Sequence, residues 1–147
     1  MKVIKILTDI LKIVGNEKKT LSCAYGIDED YVYYVPDGYR AYKIPKKDFL
    51  IDLEKALPNK TPLNDPRKLF DDSKAEPAVK TNEIRAIDKG NVVKIKGENA
   101  HAWINVNYLK EFEVDCTFKV ISSIAPVFVY EWEKLVGIIL PVRIKEE

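Results

Sequence analysis

The feature that most constrains this chain is a set of short Val- and Tyr-rich runs broken by tight polar turns. Leu21–Ile27, Tyr31–Val35 and Tyr39–Ile44 are separated only by Asp28-Glu29-Asp30 and by Pro36-Asp37-Gly38. β-Branched and aromatic residues suit the pleated surface of a strand, and Asp, Pro and Gly suit the turns, so the pattern predicts an antiparallel meander. Ahead of it, Ile4, Leu7, Ile10, Leu11 and Val14 recur at helical spacing, with Lys5, Thr8, Asp9 and Lys12 on the other side and Gly15-Asn16 as a stop. This predicts an amphipathic helix over 7–14, with room for a short strand at Lys2–Ile6 before it.

The same order recurs later in the chain. Phe49, Leu50, Leu53 and Leu57 favour a short helix, after which Pro58, Pro62, Pro66 and Pro77 argue for a long irregular connection. Glu83–Asp88 and Val92–Lys96 flank Lys89-Gly90-Asn91, a hairpin signal, and Ala102–Val106 is a further strand. Asn107–Phe112 reads as a short helix with Tyr108, Leu109 and Phe112 inward, followed by strands at Cys116–Ile121, Pro126–Tyr130 and Leu135–Ile144. A helix and a sheet of this kind each have one apolar face, so two copies side by side can bury both in one core. The expected class is α+β, one domain over 1–147, with a first unit at 1–57, a Pro-rich connection at 58–82 and a second unit at 83–147.

Charge and composition exclude several function classes. Lys and Arg number 24 against 23 Asp and Glu, a net charge of +1, so polyanion binding has to be local. Hydrophobic residues make up 46% of the chain, enough to fill one core. Cys23 and Cys116 lack C-x-x-C spacing and read as small buried apolar residues in a reducing compartment. No apolar stretch reaches the ~20 residues needed to cross a bilayer, so a soluble cytoplasmic protein with no membrane partner is expected.

Catalytic chemistry finds little support. His101, beside Asn99 and Ala100, reads as a solvated turn residue with no nucleophile or ligand next to it. Asp71-Asp72 and Glu146-Glu147 offer Mg²⁺ oxygens, but adjacent carboxylates in loops rarely converge on one ion. Neither a phosphate-binding loop nor a dinucleotide fingerprint is present. No catalytic residue, metal or cofactor is expected.

Four places in order carry a family resemblance. Asp37-Gly38-Tyr39-Arg40, Ile104-Asn105-Val106-Asn107-Tyr108-Leu109, Ala125-Pro126-Val127 and Ile138-Ile139-Leu140-Pro141-Val142-Arg143-Ile144 together resemble the bacterial DNA polymerase sliding clamp family. Pro36 stands where that family's turn has threonine. The resemblance implies a single clamp-like domain of two β-α-β-β-β units, with mainly antiparallel sheets and two short helices on one face. A bacterial clamp subunit carries three such domains, and this chain has room for one.

What the resemblance implies for function is a non-enzymatic clamp-like protein of DNA replication or repair. Polymerase or repair proteins would dock through short peptide motifs at Ile138, Leu140, Pro141, Val142 and Arg143; packing in the sheet is the competing reading of these positions. Double-stranded DNA would meet Lys5, Lys12, Arg40 and Lys110, although charged residues on an amphipathic helix also simply face water. Lys18-Lys19 add charge nearby, whereas Asp9, Glu111 and Glu113 dilute it. Encircling DNA would require a homo-oligomer, because a ring takes about six such domains. The alternative is a clamp-fold interaction protein or decoy that does not bind DNA. Tyr25, Tyr31, Tyr33, Tyr34, Tyr39 and Tyr42 fit a half-buried sheet surface better than a stacking platform.

Overall fold

The computed structural model describes residues 1–145. They form an α+β fold with one nine-stranded antiparallel sheet and four short helices. The helices are α1 (Val3–Ile13), α2 (Glu17–Thr20), α3 (Leu53–Ala56) and α4 (Val106–Leu109). The strands are β1 (Ala24–Ile27), β2 (Tyr31–Asp37), β3 (Arg40–Pro45), β4 (Glu76–Ile87), β5 (Gly90–Gly97), β6 (His101–Asn105), β7 (Thr117–Val120), β8 (Val127–Glu131) and β9 (Lys134–Ile139).

Their order in the sheet is β1-β2-β3-β9-β8-β7-β4-β5-β6. The two meanders therefore meet through their last strands, with Arg40 opposite Ile139 and Tyr42 opposite Gly137. Antiparallel pairing relates β3 and β9 by a local twofold, and the order outward from that pair is the same on both sides.

The helix at the amino end begins earlier than its apolar spacing suggests, and no strand precedes it. Ile6, Leu7 and Ile10 are its buried residues, whereas Ile4 is 68% and Leu11 63% exposed. The buried stripe is thus rotated from the predicted one. Tertiary contacts fix that rotation: the Lys2 amide donates to the Glu111 carbonyl at 2.9 Å, and the Met1 amine pairs with Glu131 and Glu113.

The second helix is shorter than expected. The Asn105 side chain accepts from the Asn107 amide at 2.9 Å and starts α4. After Leu109 the amides of Lys110, Glu111 and Phe112 reach back only three residues, which tightens the chain into turns. Phe112 then packs against β9 at Gly137, where a Cβ would lie 2.5 Å from its ring. Only glycine permits that approach.

Of the predicted helix over Phe49–Leu57 only the single turn of α3 forms, capped by the Asp52 carboxylate, and a 3-10 turn at Lys46–Asp48 precedes it. Phe49, Leu53 and Leu57 are buried as expected; Leu50 is exposed. The irregular connection ends at Ala75, because β4 already starts at Glu76 and takes Pro77 into its ladder opposite Lys119. Pro77 lies one residue into that strand, near the end where a missing N–H is best tolerated. His101 opens β6 opposite Lys96 and is half-buried, so it is a strand residue, not a solvated turn residue. The final strand stops at Ile139, five residues short of the predicted Ile144.

Both faces of the sheet carry apolar clusters. The larger joins Ile6, Leu7 and Ile10 of α1 and Phe112 to inward strand residues such as Tyr25, Ile44, Ile95, Val129 and Ile139. The smaller, on the opposite face, gathers Tyr33, Ala41, Phe128, Tyr130 and Ile138 around Phe70. Phe70 belongs to a 3-10 turn, Pro66–Phe70, within the Pro-rich connection. That connection is a strap, pinned by the Leu63 amide on the Tyr25 carbonyl at 2.8 Å and by Pro66 seated on Gly26, where a Cβ would lie 2.5 Å away.

Candidate functional site

The two predicted site regions meet at the same end of the β3–β9 seam, where Arg40 at the start of β3 stands opposite Ile139 at the end of β9. On the helix side, the tight turn Asp37-Gly38-Tyr39 sets Arg40 at the start of β3, with the Tyr39 amide donating to the Asp37 carboxylate at 2.9 Å. The Arg40 side chain is 22% exposed and lies between two carboxylates: Nε is 3.4 Å from Asp37, and one terminal nitrogen is 3.9 Å from Glu111. Its guanidinium stacks 4.8 Å from the Tyr108 ring centre and 5.9 Å from that of Tyr42. Burial works against its charge, but Tyr42, Asp37 and Glu111 more than compensate and raise its pKa above the usual arginine value.

Glu111 is the hub of this corner. Its side chain is 6% exposed, and Oε1 takes the Lys5 ammonium at 3.2 Å. Glu111 Oε2 and Arg40 Nε are both buried without a hydrogen bond in the geometry present. Around them a cavity of about 380 Å³ is bordered by Lys12, Lys19 and Arg40 on one side of the charge balance and Asp9, Asp37 and Glu111 on the other. Three cations against three anions leave no strong net field for a phosphate backbone.

Of the four residues predicted to meet DNA, Lys5 and Arg40 are thus committed to Glu111, whereas Lys12 and Lys110 are exposed. Lys5, Lys12 and Arg40 gather at one corner. Lys110 lines a different groove, beside β4 and β7. Sequence reading treated Glu111 only as a diluting charge; its burial, at 5% exposure, is the missed feature. Its place just before Phe112 in a short helical stretch was the available signal.

At the other region, β9 leads into the predicted peptide site. Ile138 is 7% exposed and buried with Phe70 and Phe128, on the face opposite Ile139. Leu140, Pro141 and Val142 are half-buried and Arg143 is exposed. The Leu140 amide donates to the Tyr39 carbonyl at 2.8 Å, and the Val142 amide to the Trp103 carbonyl at 2.7 Å. The second bond forms an isolated antiparallel bridge to β6, which is otherwise an edge strand. Pro141, between them, lacks an N–H and needs no partner there.

The tyrosine meander is closed to stacking. Tyr25, Tyr33, Tyr34 and Tyr42 are buried, and Tyr39 is the exposed member. The Tyr33 hydroxyl donates to Asp28 at 2.7 Å; burial first, then that carboxylate, pushes the Tyr33 phenol well above its usual value. Burial alone would raise the Asp28 carboxyl, but bonds from Tyr33 and from the Asp30 and Tyr31 amides outweigh it and hold the pKa low.

Asp72 accepts from the Tyr130 hydroxyl, and Asp71 from the Ser73 amide at 3.1 Å, so this pair fastens the strap. Glu146 and Glu147 lie outside the described residues. Among the described residues no group of three or more His, Cys, Asp or Glu converges on a point where a metal ion could sit. No helix among them is long and apolar enough to cross a membrane. Comparison with protein families, with curated proteins and with solved structures finds no match to this chain.

Proposed function

We propose that this chain is a non-enzymatic, sliding-clamp-like protein of DNA replication or repair that docks client proteins and encircles duplex DNA as an oligomer. The observation that carries the reading is the arrangement of its two halves. α1 and the α4 corner lie against one another, joined by the Lys2–Glu111 backbone bond at 2.9 Å, and each is followed by a three-stranded antiparallel meander. The meanders join at β3 and β9, which fits two related units packed as one clamp-like domain. The first of these units lacks the strand that precedes its helix in the second.

In this reading Lys12 and Lys110 supply sequence-independent phosphate contacts, with Lys5 and Arg40 held back by Glu111. Clients dock by short peptides at Leu140, Pro141, Val142 and Arg143, with Ile138 beneath. Sedimentation velocity across a concentration range, with and without duplex DNA in a salt series, tests the ring. The expected result is a mass several times that of the chain and DNA affinity that falls steeply with salt. A strict monomer at high concentration, with or without DNA, sinks encirclement.

A second reading, a clamp-fold interaction protein that does not bind DNA, is favoured by the balanced charges around the 380 Å³ cavity. Absence of DNA affinity even at low salt, alongside retained peptide capture, would select it. Leu140→Glu tests docking in either case, because a charge placed in an apolar groove opposes peptide burial. Loss of capture in a folded variant supports the site; unfolding assigns Leu140 to the core.

A further inference from the structure

We propose that the groove between β4, β7 and the α4 corner docks an extended acidic peptide, which adds a strand to the free edge of β4. This strand runs for twelve residues, yet β7 pairs only with Glu76, Pro77 and Ala78. On its other side β5 accompanies it to Ile87. From Val79 onward, the β7 side of β4 has no ladder partner among the described residues. Its outward N–H and C=O groups are an open template for another strand.

Where β4 and β7 part, a groove of about 440 Å³ opens. Ala78, Leu109, Phe112 and Phe118 give it an apolar lining, and Val79 and Val114 stand at its mouth, 66% and 98% exposed. An apolar hollow beside an unpaired edge supplies both elements that a strand-adding peptide uses: backbone pairing for affinity and a pocket for alternate side chains.

Charge selects which peptide fits. Lys2, Lys80 and Lys110 all border the groove, all are exposed, and none has an ion-pair partner among the described residues. Glu113, the one carboxylate there, already faces the Met1 amine at 3.4 Å. The rim is therefore positive, and carboxylates on the incoming strand complement it. The same lysines oppose pairing with basic strands, which gives the edge its selectivity. The site stands apart from the carboxyl-terminal docking residues and shares only Lys110 with the proposed DNA contacts, so Lys80 is the discriminating position.

The test uses the full chain and a synthetic acetylated peptide of sequence Asp-Glu-Leu-Glu-Val-Glu-Asp, with a control in which every acidic residue is lysine. Cys116 also lines the groove and is half-buried, whereas Cys23 is 3% exposed, so alkylation by iodoacetamide reports on the groove. The acidic peptide should shift the amide resonances of residues 79–87 and slow Cys116 alkylation. The lysine control should bind at least about tenfold more weakly, and Lys80→Glu should weaken the acidic peptide about fivefold, the size of a rim charge contact. Equal binding of the two peptides, unchanged affinity in Lys80→Glu, shifts confined to β1 or β6, or no binding overturns the proposal. So does an oligonucleotide that produces the same shifts when the acidic peptide does not.

Discussion

The two faces of the sheet are covered by opposite means. Helices from both halves of the chain cover one face, where α1 and Phe112 complete a cluster that draws on every strand of the sheet. A strap without regular secondary structure beyond a 3-10 turn covers the other, and Phe70 is its one buried aromatic. Along β8 every residue from Val127 to Glu131 is buried, which means that alternation there points to two interiors and not to one interior and solvent. The difference teaches that the Pro-rich connection is a structural layer. It takes the place that a third helix would otherwise need to fill.

The comparison breaks first at Phe112. Phe112→Ala empties a site 2% exposed, removes the ring lying on Gly137 and the Tyr42 contact at 5.7 Å, and should cost about 3–5 kcal/mol in urea unfolding. Phe70→Ala on the strap should cost less, about 2–3 kcal/mol, because an irregular segment can settle into the space. A larger loss at Phe70 than at Phe112 would reverse the ranking of the two faces.

Glu111→Ala sharpens the helix-side corner. It leaves the Arg40 guanidinium with Asp37 as its remaining carboxylate and frees Lys5, so stability should fall by about 1–2 kcal/mol. If the clamp reading holds, duplex DNA affinity should rise at the same time, read by anisotropy at low salt. A variant as stable as the parent would show that the node is dispensable.

The smallest effect is one of pH. Tyr33, Tyr34, Tyr42 and Tyr130 are all raised, chiefly by burial. Their folded-state values exceed the unfolded value of about 10, so the folded chain holds these protons where the unfolded chain releases them. Stability from these groups is fully present below pH ~10 and is lost as pH rises above it. The urea midpoint should be level from pH 7 to 9 and decline beyond. Tyr33→Phe should blunt that decline for the strap face, while Tyr42→Phe does so for the helix face.

The legible parts of this fold were those set by local chemistry. The meander Ala24–Pro45 follows from Val and Tyr runs between Asp- and Gly-containing turns, and the hairpin closing at Asp88-Lys89 from the neighbouring Gly90. Helix limits were less legible. Ile4 and Leu11 share the predicted stripe with Leu7 and Ile10, yet the buried set is Ile6, Leu7 and Ile10, and the contacts of Met1 and Lys2 with Glu111, Glu113 and Glu131 hold the helix in that rotation. Of the site residues, Arg40 and its near carboxylate Asp37 were visible through their shared turn, but the second carboxylate, Glu111, comes from a distant part of the chain.

The sequence by itself determined the α+β class, the antiparallel pairing and the succession of helix and meander, because propensity, turn chemistry and two-residue alternation act over a few residues. Tertiary structure alone decided which cations remain free, which face Ile138 occupies, that the Pro-rich segment is a layer, and that β4 keeps an open edge. Those outcomes depend on where distant elements meet, and burial and charge pairing are properties of that meeting rather than of any single stretch of chain.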